Sequence, residues 1–237
     1  MKNIVLKSLL RIGKLIAFVL GNYLIILKKY CNWQKRAKNI FLKNYPLMLP
    51  VLEALDFFYL SMSPYDISIA NREEKGWQDK KELTYGETFL LSIPKIFQNI
   101  EITEKDVFYE LGSGSGYLSF FVNQYYPAKK VIGIDIIGDF IKICNIVIKN
   151  LKLNNIYFYE DNYLDKNIDD GTIFYITATC YASEEMALLE KKLNSLPAGI
   201  KVIMISRPLN SPDFILTKYK FLEFSWNFDS VFFYKKI

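Results

Sequence analysis

The chain has 237 residues, 51% hydrophobic and 23% charged, enough apolar material for one sizeable core and too much for a disordered chain. It holds no histidine, which excludes Ser-His-Asp and Cys-His nucleophiles, His-ligated zinc and a histidine base; Cys31, Cys144 and Cys180 form no CxxC pair, which excludes a disulfide framework and suits a reducing compartment. The net charge of +5 is uneven: ten Lys and Arg and no Asp or Glu precede Glu53, leaving 20 basic and 25 acidic residues in 53–237.

Residues 4–28 are predicted helical, with an uncharged run from Leu15 to Leu27 bracketed by Lys14 and Lys28-Lys29. That run falls short of the roughly 20 apolar residues a bilayer crossing needs. Three placements stay open for it: packed on the rest of the chain, lying in a membrane interface, or anchoring the chain in a membrane. The basic stretch 1–43 suits an anionic membrane surface but carries no aromatic stacking motif, so nucleic acid is not expected as a partner. Residues 33–60 read as further helix broken at Pro46 and Pro50, and 61–83 as a polar connecting loop. Tyr85-Gly86-Glu87-Thr88 then precedes a helix predicted over 89–97.

From residue 106 strands and helices alternate. Apolar runs of strand length fall at 107–111, 131–136, 156–159, 172–179 and 201–206, with helical stretches at 116–125, 139–151 and 183–196. This alternation implies βαβ units and a parallel sheet. The runs 220–226 and 230–236 leave no room for a helix between them and predict an antiparallel hairpin at the end of the sheet.

The first strand runs into Glu110-Leu111-Gly112-Ser113-Gly114-Ser115-Gly116 and directly into a helix. Glycines at such a turn let a ligand approach the main chain. The spacing is GxGxG, with an acid two residues before the first glycine. A carboxylate there repels a pyrophosphate but can receive a cationic amino group. The second strand ends at Asp135-Ile136, 19 residues after Gly116, where a carboxylate can accept both hydroxyls of a ribose. The third ends in Asp161-Asn162, chemistry suited to an adenine amino group.

On these residues the sequence resembles the class I S-adenosylmethionine-dependent methyltransferases, over about 106–237. Thr84-Tyr85-Gly86-Glu87-Thr88 and the fourth-strand region leading to Cys180 look, within that superfamily, like the non-SET lysine methyltransferases named for disruptor of telomeric silencing. The chain departs from them at Ile176-Thr177-Ala178-Thr179, where that family has an asparagine pair. The resemblance implies a Rossmann-like, seven-stranded sheet with an antiparallel C-terminal hairpin, preceded by a helical N-terminal segment. It divides the chain into a helical segment 1–60, a connecting loop and cofactor-covering helix 61–105, and a methyltransferase domain 106–237.

S-adenosylmethionine is the implied cofactor, a protein lysine amine the implied acceptor, and no metal is called for. Glu110, Gly112, Ser113, Gly114 and Gly116 are assigned to the methionine end, Asp135 and Ile136 to the ribose side, and Asp161 and Asn162 to the adenine. Tyr85 and Glu87 would cover the pocket, and Thr177, Thr179 and Trp226 would line the acceptor channel. For Trp226 ordinary core packing competes with that role, and Cys180 reads as a buried small apolar side chain. A lipid or small-molecule methyltransferase at a membrane, and a non-catalytic subunit of the same fold, are the alternatives. A cytoplasmic location, with membrane association through the N-terminal helix, completes the expectation.

Overall fold

The computed structural model describes residues 32–237. Residues 32–44 are helical and belong to a unit separate from Tyr45–Ile237. The helix expected at 4–28, with the membrane contact assigned to it, lies outside the described residues. Among the described residues no helix is long and apolar enough to cross a membrane.

The unit Tyr45–Ile237 is built on β1 (Val107–Leu111), β2 (Lys130–Asp135), β3 (Ile156–Glu160), β4 (Ile173–Thr177), β5 (Lys201–Ile205), β6 (Phe214–Glu223) and β7 (Phe228–Lys236). They form one sheet in the order β3-β2-β1-β4-β5-β7-β6. The first five strands are parallel, and β7 runs antiparallel to both β5 and β6. This is the expected Rossmann-like class I sheet with its C-terminal hairpin. All five residues of β1 are buried, as a central parallel strand covered on both faces requires.

Successive side chains leave the sheet on opposite sides. One side holds Tyr109, Leu111, Ile134, Phe174, Ile176 and Met204, packed with Leu189 and Leu193 of α6 (Ser183–Asn194). On the other, Phe97 at the end of α3 (Ile93–Phe97) meets Phe108 with ring centroids 5.7 Å apart, and Tyr175 at 6.5 Å. α4 (Tyr117–Tyr125) and α5 (Gly138–Leu151) complete the crossovers after β1 and β2.

Several element readings need correction. Pro50 does not break a helix: it occupies the first turn of α1 (Leu49–Phe58), where its missing N–H is no loss. The stretch taken as a loop contains α2 (Pro64–Glu74), capped by Ser63, whose hydroxyl accepts from Asp66 N–H at 3.2 Å. The helix expected over 89–97 is confined to Ile93–Phe97, because Thr88 instead forms a bridge to Phe224. β6 begins earlier than the apolar pattern indicated, with a register shift between Leu216 and Lys218 that interrupts its alternation.

The strand order turns around between β1 and β4, since β1 pairs β2 on one side and β4 on the other. Ligands in open α/β sheets bind beyond the carboxyl ends of the strands at such a switch point. The loops there are 112–116 after β1, 136–137 after β2 and 178–182 after β4.

Candidate functional site

A cavity of about 220 Å³ opens over that switch point. Every residue assigned to the site from sequence lines it, with the exception of Gly116.

The glycine loop explains the exception. Gly112 and Ser113 both donate their N–H to Ile134 O at 2.9 Å, folding the chain back over the end of β2. Gly114 (φ +47) lies under the Tyr85 ring, and a Cβ there would meet Tyr85 Cε2 at 2.9 Å. Gly116 (φ +79) faces the protein interior: its Cβ would meet Cys144 Sγ at 2.7 Å and Phe158 Cζ at 2.9 Å. The third glycine lets α4 begin against α5 and β3, and it is buried and not among the cavity's lining residues. Its assignment to the methionine end is corrected to a packing role.

Glu110 is buried, and its Oε2 accepts from Ser119 N–H at 3.0 Å and Ser119 Oγ at 2.5 Å. Burial pushes its carboxyl up to about 8 against those hydrogen bonds, with neighbouring Asp135 adding to the rise. Asp135 accepts from Gly114 N–H through Oδ2 at 2.7 Å and from Ile137 N–H through Oδ1 at 2.8 Å. It too is raised by burial, which the backbone donors oppose. Asp161 pairs with Lys166 at 3.1 Å. The Asn162 side chain is engaged within its own turn, with Oδ1 accepting from Leu164 N–H at 3.0 Å and Nδ2 donating to Asp165 at 2.8 Å. It lines the cavity, and these bonds use one of its amide's two hydrogens and one of its oxygen's lone pairs.

Over the loop lies a strap, residues 84–88. The Tyr85 hydroxyl donates to Glu87 Oε1, which also accepts from Ser115 Oγ of the glycine loop at 3.0 Å. Burial raises Glu87, and the two hydrogen bonds oppose the rise. The Glu87 main chain faces the hairpin: its N–H donates to Ser225 Oγ at 2.8 Å, and its C=O accepts from Ser225 N–H at 2.9 Å. Gly86 lies so close to Trp226 that a Cβ would sit 2.6 Å from the indole. Trp226 stacks on Phe224 (4.8 Å, 18°) and donates Nε1–H to Asp229 Oδ2 at 2.9 Å. It is a half-exposed wall of the cavity, anchored from behind.

Thr177 and Thr179 line the same side, with the Tyr175 hydroxyl 2.6 Å from Thr88 Oγ1. Cys180 is exposed at the cavity, contrary to the buried position expected of it. Five carboxylates line the cavity (Glu82, Glu87, Glu110, Asp135, Asp161), with Tyr85, Tyr117, Tyr163, Tyr181 and Trp226, and no Lys or Arg is among the lining residues. Sequence reasoning missed Ser68, Glu82, Tyr117, Tyr163 and Tyr181. Ser68 lies on α2, within the stretch whose polar composition indicates a loop. Tyr163 and Tyr181 carried one usable signal, their place just after strands three and four. The Ser68 and Ser113 hydroxyls are buried without a hydrogen-bond partner among the described residues. Both line the cavity, so a polar ligand such as S-adenosylmethionine fits as the partner they lack.

The sequence model of the family described as "Histone methylation protein DOT1" matches residues 65–224. The ribosomal RNA small subunit methyltransferase G of Streptococcus pneumoniae (strain ATCC BAA-255 / R6) is 25% identical over 181 residues, covering 67% of this chain and 75% of that protein. The same enzyme from strain G54 is 29% identical over 140 residues, 57% of this chain and 58% of that protein, which is less than two thirds of its length. Among solved structures, an RNA methyltransferase from Salinibacter ruber in complex with S-adenosyl-L-homocysteine superposes with a TM-score of 0.51 at 18% identity, over 62% of this chain and 90% of that one. That likeness is one of fold. The exclusion of nucleic acid as a partner is overturned by the Streptococcus pneumoniae relatives, which are named as ribosomal RNA methyltransferases.

Proposed function

This chain belongs to the DOT1 family of histone methylation proteins and is an S-adenosylmethionine-dependent methyltransferase, and from that premise we propose that its methyl acceptor is a lysine amine of a protein. The observation that carries the reading is the charge of the cavity: five carboxylates and five Tyr and Trp side chains line it, without a Lys or Arg. A cationic amine meets carboxyl oxygens and ring faces on such a wall, with no Lys or Arg among its lining residues to oppose it. The cofactor, when bound, supplies a methyl group already activated on a sulfonium, which leaves the protein the work of alignment.

In this reading the carboxylate of Glu110 faces the amino group of the methionine end and Asp135 the ribose. The Ser113 and Ser68 hydroxyls gain the partner they lack. Tyr85 closes over Gly114, and Glu87 ties that cover to the loop through Ser115. The acceptor enters beside Thr177, Thr179 and Trp226. Its proton is lost to solvent or to a carboxylate of the cavity, so the absence of histidine is no obstacle.

A second reading, transfer to RNA, is favoured by the names of the relatives. Incubation with S-adenosylmethionine labelled on the methyl group and a whole-cell lysate, followed by separation of protein from RNA, decides between them. Label in protein that hydrolyses to methyl-lysine, and is absent with Asp135→Ala, is the expected result. Label confined to RNA or to small molecules overturns the lysine reading.

A further inference from the structure

Behind the acceptor side of the cavity runs a chain of hydrogen bonds with a fixed direction. Thr179 Oγ1 lies 2.7 Å from Ser206 Oγ, and Ser206 Oγ donates to Asp229 Oδ2. Thr179 lines the cavity, whereas Ser206 and Asp229 are not among its lining residues. An ionised carboxylate has no proton to give, and a hydroxyl has only one. Ser206 spends its hydrogen on Asp229 and can serve Thr179 only as an acceptor. Thr179 must therefore donate its own hydrogen backwards to Ser206, and what it presents to the cavity is lone pairs. In isolation a threonine hydroxyl can offer a ligand either polarity; here Asp229 removes the choice.

The backbone holds this arrangement under strain. Ser206 has φ +70, outside the range a residue with a Cβ favours. Arg207 N–H donates to Ile205 C=O at 2.9 Å across it, a γ-turn of the rare kind with positive φ. Strain of this sort persists where the surroundings over-determine it, and it gathers at functional sites. The same Asp229 Oδ2 also accepts Trp226 Nε1–H, so one oxygen anchors two walls of the cavity. Asp229 Oδ1 accepts Ser230 N–H at 2.7 Å. With both oxygens facing donors, an asparagine would set its NH2 against one of them in either orientation.

We propose that the Thr179 hydroxyl oxygen accepts a hydrogen bond from the N–H of the methyl acceptor, and that Ser206 and Asp229 are positioning residues that keep this oxygen an acceptor. The nitrogen's lone pair is then aimed away from Thr179. The proposal rests on the amine reading above insofar as it requires an acceptor that carries an N–H, and it selects against a nucleophile without one.

The test uses the full-length protein, label transfer from S-adenosylmethionine into the protein fraction of a lysate, and calorimetry with S-adenosyl-L-homocysteine. Thr179→Val should lower the rate about 10-fold, and Thr179→Ser should return it to within about two-fold of wild type. Ser206→Gly accepts the positive φ, so it should lose the same rate without a loss of thermal stability. Asp229→Asn should follow Thr179→Val. Affinity for S-adenosyl-L-homocysteine should stay unchanged in all four. A valine variant as active as wild type overturns the proposal, as does a rate loss matched by a loss of S-adenosyl-L-homocysteine affinity. Label appearing in RNA instead sinks the lysine reading alone, since the valine–serine contrast at 179 can still be scored on whichever acceptor takes the methyl group.

Discussion

Gly116→Ala separates a packing glycine from a ligand-cradling one. At φ +79 an alanine pays for the left-handed conformation, roughly 1–2 kcal/mol. The new Cβ would also stand 2.7 Å from Cys144 Sγ and 2.9 Å from Phe158 Cζ. Both side chains are buried, and Phe158 packs on Phe120 at 5.3 Å, so neither can swing aside freely. Overpacking of this kind costs about 1–3 kcal/mol. Together the two effects predict a destabilisation of about 2–5 kcal/mol, and a domain of roughly 150–250 residues loses about 2–4 °C of Tm per kcal/mol. Thermal unfolding followed by circular dichroism reads the first number. Calorimetry with S-adenosyl-L-homocysteine, well below the lowered transition, reads the second, and the affinity there should match wild type within about two-fold. Gly114→Ala, at φ +47, shares the backbone cost, but its Cβ meets the Tyr85 ring at 2.9 Å at the cavity itself, so it should show a larger loss of affinity than Gly116→Ala. An unchanged Tm in Gly116→Ala with weakened binding would refute the reasoning and return that glycine to the site.

Three further outcomes are expected. Because burial lifts Glu110 from 4.5 to about 8, the folded protein holds that proton more tightly than the unfolded chain. Stability should therefore fall as pH rises through that interval, with Glu87 and Asp135 acting in the same direction. Glu110→Gln should flatten part of the slope in melts across that pH range, and it should weaken S-adenosyl-L-homocysteine binding about 10-fold; an unchanged slope argues that Glu110 titrates normally. Ser68→Ala removes a buried hydroxyl that lacks a partner among the described residues, so the free protein should be no less stable while ligand affinity drops about 2- to 10-fold. A lower Tm with unchanged affinity would make Ser68 a packing residue. Exposed Cys180 should be alkylated by iodoacetamide and protected by S-adenosyl-L-homocysteine, whereas buried Cys144, bonded to Ser115 O, should not react. Peptide mass spectrometry reads both sites, and equal labelling of the two counts against the placement of Cys180.

What the sequence made legible was local. Glu110 through Ser115 and the acid at 135 are each a strand end followed at once by a turn, so the chemistry and its scaffold are contiguous in the chain. The sheet followed from the same alternation, down to the hairpin. The errors came where one residue type has two uses. Proline is read as a helix break at 46 and 50, yet Pro50, like Pro64 within the stretch assigned to a loop, sits in a first helical turn, and Ser63 with Asp66 is a start signal in plain view. The third glycine of the loop was grouped with its neighbours by spacing alone. Its separate role depends on Cys144 and Phe158, which only the packing of α5 and β3 brings to it.

The acceptor wall could not be read in this way, for a geometric reason. Ser206 and Asp229 are 23 residues apart and meet because β5 and β7 pair antiparallel with Ile205 opposite Val231. A shift of one residue in that register would turn Asp229 to the other face and leave Thr179 free to donate. The strap shows a similar dependence. Glu87 gives its side chain to the glycine loop and its main chain to Ser225, the residue before Trp226. The strap over the glycine loop and the Trp226 wall of the cavity are thus joined through Glu87 and Gly86, and a displacement of the strap must reach Trp226 through the Ser225 pair and the Gly86 contact. The glycine loop is a run of adjacent residues, while the wall formed by Thr179, Ser206, Asp229 and Trp226 exists only once the hairpin has closed on the sheet.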